Sequence, residues 1–114
     1  MQDCKKNDIW SVTTTVPSQE AGQGLAREIL AQRLGACVQI DAGIVSLYRW
    51  EGALQEESEL RLTIKTVAQH LEALERMFAR HHPYEVPQFL AVPMHAGTAY
   101  AQWVCAETAP LPGT

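Results

Sequence analysis

Adjacent imidazoles at His81 and His82, followed by Pro83, are the side chains in this chain best suited to hold a transition metal. Neutral imidazole binds Cu(II) or Zn(II) without the deprotonation that a thiol requires. Neighbouring side chains in extended backbone point to opposite sides, but a bent junction ahead of a proline relaxes that limit. The competing reading makes His82 the cap of a helix C-terminus, where a ring donor is favourable, with His81 in solvent. Cys37, within Ala36-Cys37-Val38, is either a soft donor suited to Cu(I) or a small buried hydrophobe. His81, His82 and Cys37 are the candidate metal ligands. A second set, Tyr48, Trp50, Glu59, Lys65 and Tyr84, mixes aromatic and charged groups. It suits a small anionic ligand, with Lys65 as the charge and Trp50 as an apolar wall. The favoured reading is instead an interface in which Glu59 pairs across strands with Lys65 or Arg61 and the aromatic residues pack. Glu85 and Glu107 read as solvated carboxylates, and His70 and His95 as surface or hydrogen-bonded histidines. No Ser, Cys or Thr sits in a nucleophile elbow or beside an evident base, and HExxH is absent, so an enzyme is not expected.

The elements that must position these groups follow from periodicity. Trp10–Val16 is rich in β-branched residues and reads as a strand. Pro17 stops it, and Ser18 is an N-cap for a helix running to about Leu34, with Gly35 at its C-cap. The chain is extended from Ala36 to Trp50, and Ala42-Gly43 suggests a bulge within that run. Glu51-Gly52 turns it back, and a strand beginning near Ser58 alternates Leu60, Leu62 and Ile64 with polar residues. Thr66 caps a second helix whose apolar face is Val67, Leu71, Leu74 and Phe78. Pro83 ends that helix, Gln88–Val92 is a short strand, and Thr98–Glu107 is a last helix with Tyr100, Trp103 and Val104 inward. The order β-α-β-β-α-β plus a helix predicts an α+β, ferredoxin-like antiparallel sheet with a long β-hairpin. Both early helices fall on one sheet face. The other face and the apolar hairpin then call for burial by another subunit.

With 114 residues there is room for one domain, over 9–108, between a polar tail at 1–8 and a loose tail at 109–114. The net charge of −4 argues against nucleic acid, which demands a basic face. No stretch approaches the roughly 20 apolar residues of a membrane span, so no membrane partner is expected. The first eight residues lack the apolar run of a secretory signal. Three cysteines, an odd number without a CxxC, argue against a disulfide framework and for a reducing, cytoplasmic setting.

Specific segments then stand out. Arg33-Leu-Gly-Ala-Cys-Val38, Ser46-Leu-Tyr-Arg-Trp-Glu-Gly52, Glu59 through Ile64-Lys65-Thr66, His81-His-Pro-Tyr-Glu-Val-Pro87 and Tyr100-Ala-Gln-Trp103 together resemble the CutA divalent-cation tolerance family over about Trp10 to Thr108. The resemblance implies a ferredoxin-like homotrimer whose hairpins pair across subunits, and a role in tolerance of divalent ions, copper in particular. It also implies an architectural likeness to PII signalling trimers, which leaves open a metabolite in inter-subunit clefts or a scaffold for an unknown protein partner. Some members carry a cysteine in the first strand as a presumed metal ligand. The matching position here is Thr14, a poor one.

Overall fold

The computed structural model describes residues 4–111. Four strands and three helices follow one another: β1 (Ile9–Val16), α1 (Gln19–Ala31), β2 (Cys37–Trp50), β3 (Ala53–Val67), α2 (Leu71–His81), β4 (Leu90–Met94) and α3 (Thr98–Thr108). The strands form one antiparallel sheet in the order β2-β3-β1-β4, the α+β ferredoxin-like arrangement expected.

Strand alternation sorts the core. Val12 and Val16 of β1 join Leu62 and Ile64 of β3 beneath Leu25 and Ile29 of α1 and Leu74, Met77 and Phe78 of α2, all at 3 % exposure or less. Ile9 and Val67, of the other parity, meet Ala101, Val104 and Cys105 of α3 in a second cluster. The third helix therefore covers one end of the opposite face. Beyond it Leu90, Val92 and Met94 are exposed.

The β2–β3 hairpin is longer than the sequence suggests. The second strand starts at Ala53, not near Ser58, with Trp50 paired to Ala53 around Glu51-Gly52. Both turn residues have positive φ, 50° and 79°, the geometry whose twist matches paired strands. Pairing with β2 overrides the weak strand character of Gln55-Glu-Glu57. The expected bulge falls between Asp41 and Ile44, with Gly43 at φ 79°. The projecting arm makes the molecule 50 Å long with a radius of gyration of 15.1 Å, against about 13 Å for a compact chain of this length.

Three further expectations are corrected. First, α1 ends at Ala31, and Arg33, not Gly35, takes the left-handed conformation, with φ 57°. Its guanidinium donates to the carbonyls of Ala109 (2.7 Å) and Ala106 (2.8 Å), which supports the unusual backbone. Gly35 is instead required for close approach: a Cβ there would lie 2.7 Å from Ile64 Cγ2 and 2.9 Å from Ile29 Cγ2. Second, Thr66 and Val67 remain in β3, and α2 begins only at Leu71 after a 3-10 turn. Thr66 donates to the carbonyl of Leu34, and Val67 belongs to the α3 cluster. Third, α3 turns small residues inward, while Tyr100 and Trp103 are over 40 % exposed, because small side chains let the helix lie close to Ile9 and Val67.

The cysteines also depart from expectation. Cys4 is joined to Cys105, with Cα atoms 6.1 Å apart, and Cys37 alone is free. An odd count excludes pairing of all three, not of two. A reducing compartment thus no longer follows from the cysteine count. Within the segment expected as a tail, Lys6–Asp8 form a 3-10 turn, and Ala96 N–H donates to the Lys6 carbonyl at 3.0 Å. Residues 1–3 and 112–114 of the expected tails lie outside the described residues.

Candidate functional site

A groove of about 910 Å³ runs between the projecting hairpin and the segment 83–88 that links α2 to β4. Two locally determined features place its walls. The bulge before Ile44 redirects β2 so that Tyr48 and Trp50 flank the groove. On the other side, His82 leaves the helix with ψ 138°, the extended geometry that a following proline imposes, and carries Tyr84 across.

His82 is the pivot. It is only 9 % exposed. Tyr84 N–H donates to Nδ1 at 3.1 Å, so that nitrogen carries the lone pair. The proton therefore sits on Nε2 and is donated to Thr14 Oγ1 at 3.0 Å. Burial holds the imidazole below its ordinary pKa of 6.5, against the opposing pull of the Thr15 backbone and the Glu59 carboxylate. The ring lies against Phe78 and Tyr84, with centroids 5.5 and 5.2 Å away.

Glu59, 7 % exposed, accepts from the Tyr84 hydroxyl at 2.5 Å. Burial first, and this bond second, push the Tyr84 phenol well above the ordinary 10.0. Tyr48 is shifted the same way, by desolvation and by neighbouring Glu57. Glu57, Glu59 and Glu85 all line the groove, and among the described residues no Lys, Arg or His does. Its field therefore attracts cations, and its aromatic walls suit an apolar or cationic body.

Of the predicted cleft residues, Tyr48, Trp50, Glu59 and Tyr84 come together here and Lys65 does not. Lys65 pairs with Cys37 in the sheet register, and its Nζ donates to Gln39 Oε1 at 2.9 Å. Its distance from Glu59 follows from the six intervening strand steps, about 20 Å. Glu59 is accordingly matched by Tyr84 rather than by Lys65 or Arg61. An anionic ligand held by Lys65 is thus not what this groove is built for.

The predicted metal ligands are scattered. His81 is exposed at the end of α2, and both ring nitrogens of His82 are engaged. Cys37 opens β2, near the Tyr100 phenol. Among the described residues no three His, Cys, Asp or Glu side chains are grouped to hold an ion. A copper centre built from His81, His82 and Cys37 within one chain does not fit. Sequence reasoning missed Thr14 as the partner of His82, although alternation along β1 assigns it to the core face. It also missed Glu57, whose signal was its two-residue spacing from Glu59. No described helix is long and apolar enough to cross a membrane.

The sheet order and the long hairpin define a ferredoxin-like α+β domain with an acidic groove along the hairpin. Residues 10–107 match the family model described as CutA1 divalent ion tolerance protein. The divalent-cation tolerance protein CutA of Escherichia coli O45:K1 is 38 % identical over 110 residues, 94 % of this chain and 98 % of that protein. The crystal structure of CutA1 from Oryza sativa superposes with a TM-score of 0.85 at 39 % identity, over 90 % of this chain and 95 % of that one. The divalent cation tolerance protein of Thermus thermophilus gives 0.84 at 36 %, over 89 % and 99 %. This chain belongs to the CutA1 divalent ion tolerance family.

Proposed function

We propose that the chain acts in divalent-cation tolerance as a homotrimer whose acidic groove draws the cation in, with donors from a second copy completing the site. The observation that carries the reading is the lining of that groove, three carboxylates without a basic side chain. Trimerisation is supported by apolar area that a monomer leaves in water: Val45, Leu47 and Leu54 on the hairpin are each over 60 % exposed, and Leu90 and Val92 over 50 %. Copper is the ion to test first, since His81 offers an accessible imidazole. A stable copper centre would need donors from a second copy, because His82 is committed to Thr14 and Tyr84. The test is calorimetric titration of metal-free protein with Cu(II) and Zn(II), beside sedimentation at micromolar concentration. Loss of binding in Glu57→Gln with Glu85→Gln supports the groove, whereas loss only in His81→Ala moves the site to the imidazole. Sedimentation as a monomer would sink the trimer.

A second reading is favoured by the aromatic walls. Tyr48, Trp50 and Tyr84 beside those carboxylates suit a small organic cation. Saturable binding of a quaternary ammonium probe, lost in Trp50→Ala while acetate fails to bind, supports it; equal indifference to both probes rejects it.

A further inference from the structure

The three cysteines divide into a pair and a single thiol. Cys4 precedes the 3-10 turn at Lys6–Asp8, and Cys105 lies on the inner side of α3 at 6 % exposure. Their Cα atoms, 6.1 Å apart, fall within the span that a disulfide bridges. Cys4 packs on the cluster formed by Ile9, Val67, Ala101, Val104 and Cys105. The partners are 101 residues apart in sequence, so their bond closes almost the whole described chain into one loop. It ties together two segments held otherwise by modest contacts. The C-terminal carbonyls of α3 are held by Arg33 and by His70, whose Nε2 lies 2.8 Å from the Thr108 oxygen. Those contacts do not involve Cys4. What the cysteine pair adds is a tie between the buried side of the helix and the start of the chain.

We propose that Cys4 and Cys105 form a reversible dithiol–disulfide couple, a cysteine-modification site that fastens residues 4–8 to α3 and sets how firmly that helix is held on the sheet. The reading is independent of the metal and of the groove. Its co-reactant is a low-molecular-weight disulfide. Cys4 is the entry point, being half-buried where Cys105 is buried. Its thiolate attacks one sulfur of the small disulfide, breaks that S–S bond and releases one small thiol, leaving a mixed disulfide on Cys4. Cys105 then loses its proton and attacks the Cys4 sulfur, forming the internal bond and releasing the second small thiol. Two electrons pass from the protein to the small disulfide, and the two cysteine protons end on the released thiols. Excess small thiol reverses both steps. Cys37, beside Lys65 in the register, takes no part.

The test equilibrates the full chain with glutathione disulfide or with excess glutathione, quenches in acid, and counts alkylated thiols by intact mass. The expected counts are one thiol, Cys37, after the disulfide and three after the thiol, with no internal bond in Cys4→Ser. Amides of 98–108 should exchange at least about tenfold more slowly in the oxidised chain, a modest fraction of what a disulfide contributes. Three free thiols after oxidation, or glutathione retained on Cys4 without pairing, overturns the couple. Oxidised protein whose α3 amides exchange as fast as those of Cys4→Ser under the same oxidant overturns the fastening role. Cys37→Ser separates the assignments, because it should count zero and two.

Discussion

Lowering the pH should destabilise this protein through one residue, His82. Its Nδ1 accepts from Tyr84 N–H, so a second ring proton would face a donor and break that bond. Burial opposes the charge as well. The folded state therefore holds its imidazole neutral below the ordinary 6.5, while the unfolded chain takes up a proton there. Above pH 6.5 both states are neutral and the contribution is fully present; it is lost as pH falls from 6.5 toward the depressed folded value. One proton of difference gives a slope approaching about 1.4 kcal/mol per pH unit. Between pH about 7.5 and about 5.5 the unfolded imidazole alone accounts for up to about 1.4 kcal/mol. The assay is urea unfolding at fixed protein concentration across this range. Wild type is compared with His82→Gln, which does not titrate, and with His81→Gln as an exposed control. The pH dependence of His82→Gln should be shallower by about that amount, and that of His81→Gln unchanged. Equal slopes in wild type and His82→Gln would refute the argument. So would a nitrogen-15 spectrum that puts the neutral proton on Nδ1.

Three further outcomes are expected. Tyr84→Phe strips the buried Glu59 of its donor and should cost about 1.5–3 kcal/mol by chemical denaturation; adding Glu59→Gln should recover part of the loss. In the wild type, the raised Tyr84 phenol holds stability level below pH 10.0, the ordinary value, and stability falls as pH rises past it. Gly35→Ala drives a Cβ into Ile64 and Ile29 and should cost about 1–3 kcal/mol, read as a shifted denaturation midpoint. Arg33→Ala leaves two carbonyls at the end of α3 without their donor, one exposed and one part-buried, and should cost about 0.5–1.5 kcal/mol, with faster amide exchange in that helix. Arg33→Gly should cost less than Arg33→Ala, since glycine accepts φ 57° without steric penalty.

Local sequence determined what depends on neighbours along the chain. The β-branched run before Pro17, the Ser18 cap (its side chain accepts from Ala21 N–H at 3.1 Å) and the spacing of Leu71, Leu74 and Phe78 are periodic or capping signals. Each is legible because its cause lies within a turn or two. The Glu51-Gly52 reversal and the bulge at Gly43 were equally plain, and with them the sheet and its hairpin. The grouping of Tyr48, Trp50, Glu59 and Tyr84 was also legible, because hairpin pairing and Pro83 together bring those segments to one end of the sheet.

Tertiary structure decided whatever depends on which distant side chain arrives. Lys65 and Glu59 share a strand parity, yet strand rise separates them, so parity could not say that Tyr84 would supply the partner. Two adjacent histidines look alike on paper. Only the arrival of Thr14 from β1 and the turn of Tyr84 back onto Nδ1 bury one and leave the other in solvent. Cys4 and Cys105 stand at opposite ends of the chain, and nothing local pairs them. They meet because β1 and β3 bring Ile9 and Val67 beneath α3, and small residues on that helix let the chain's beginning lie against it.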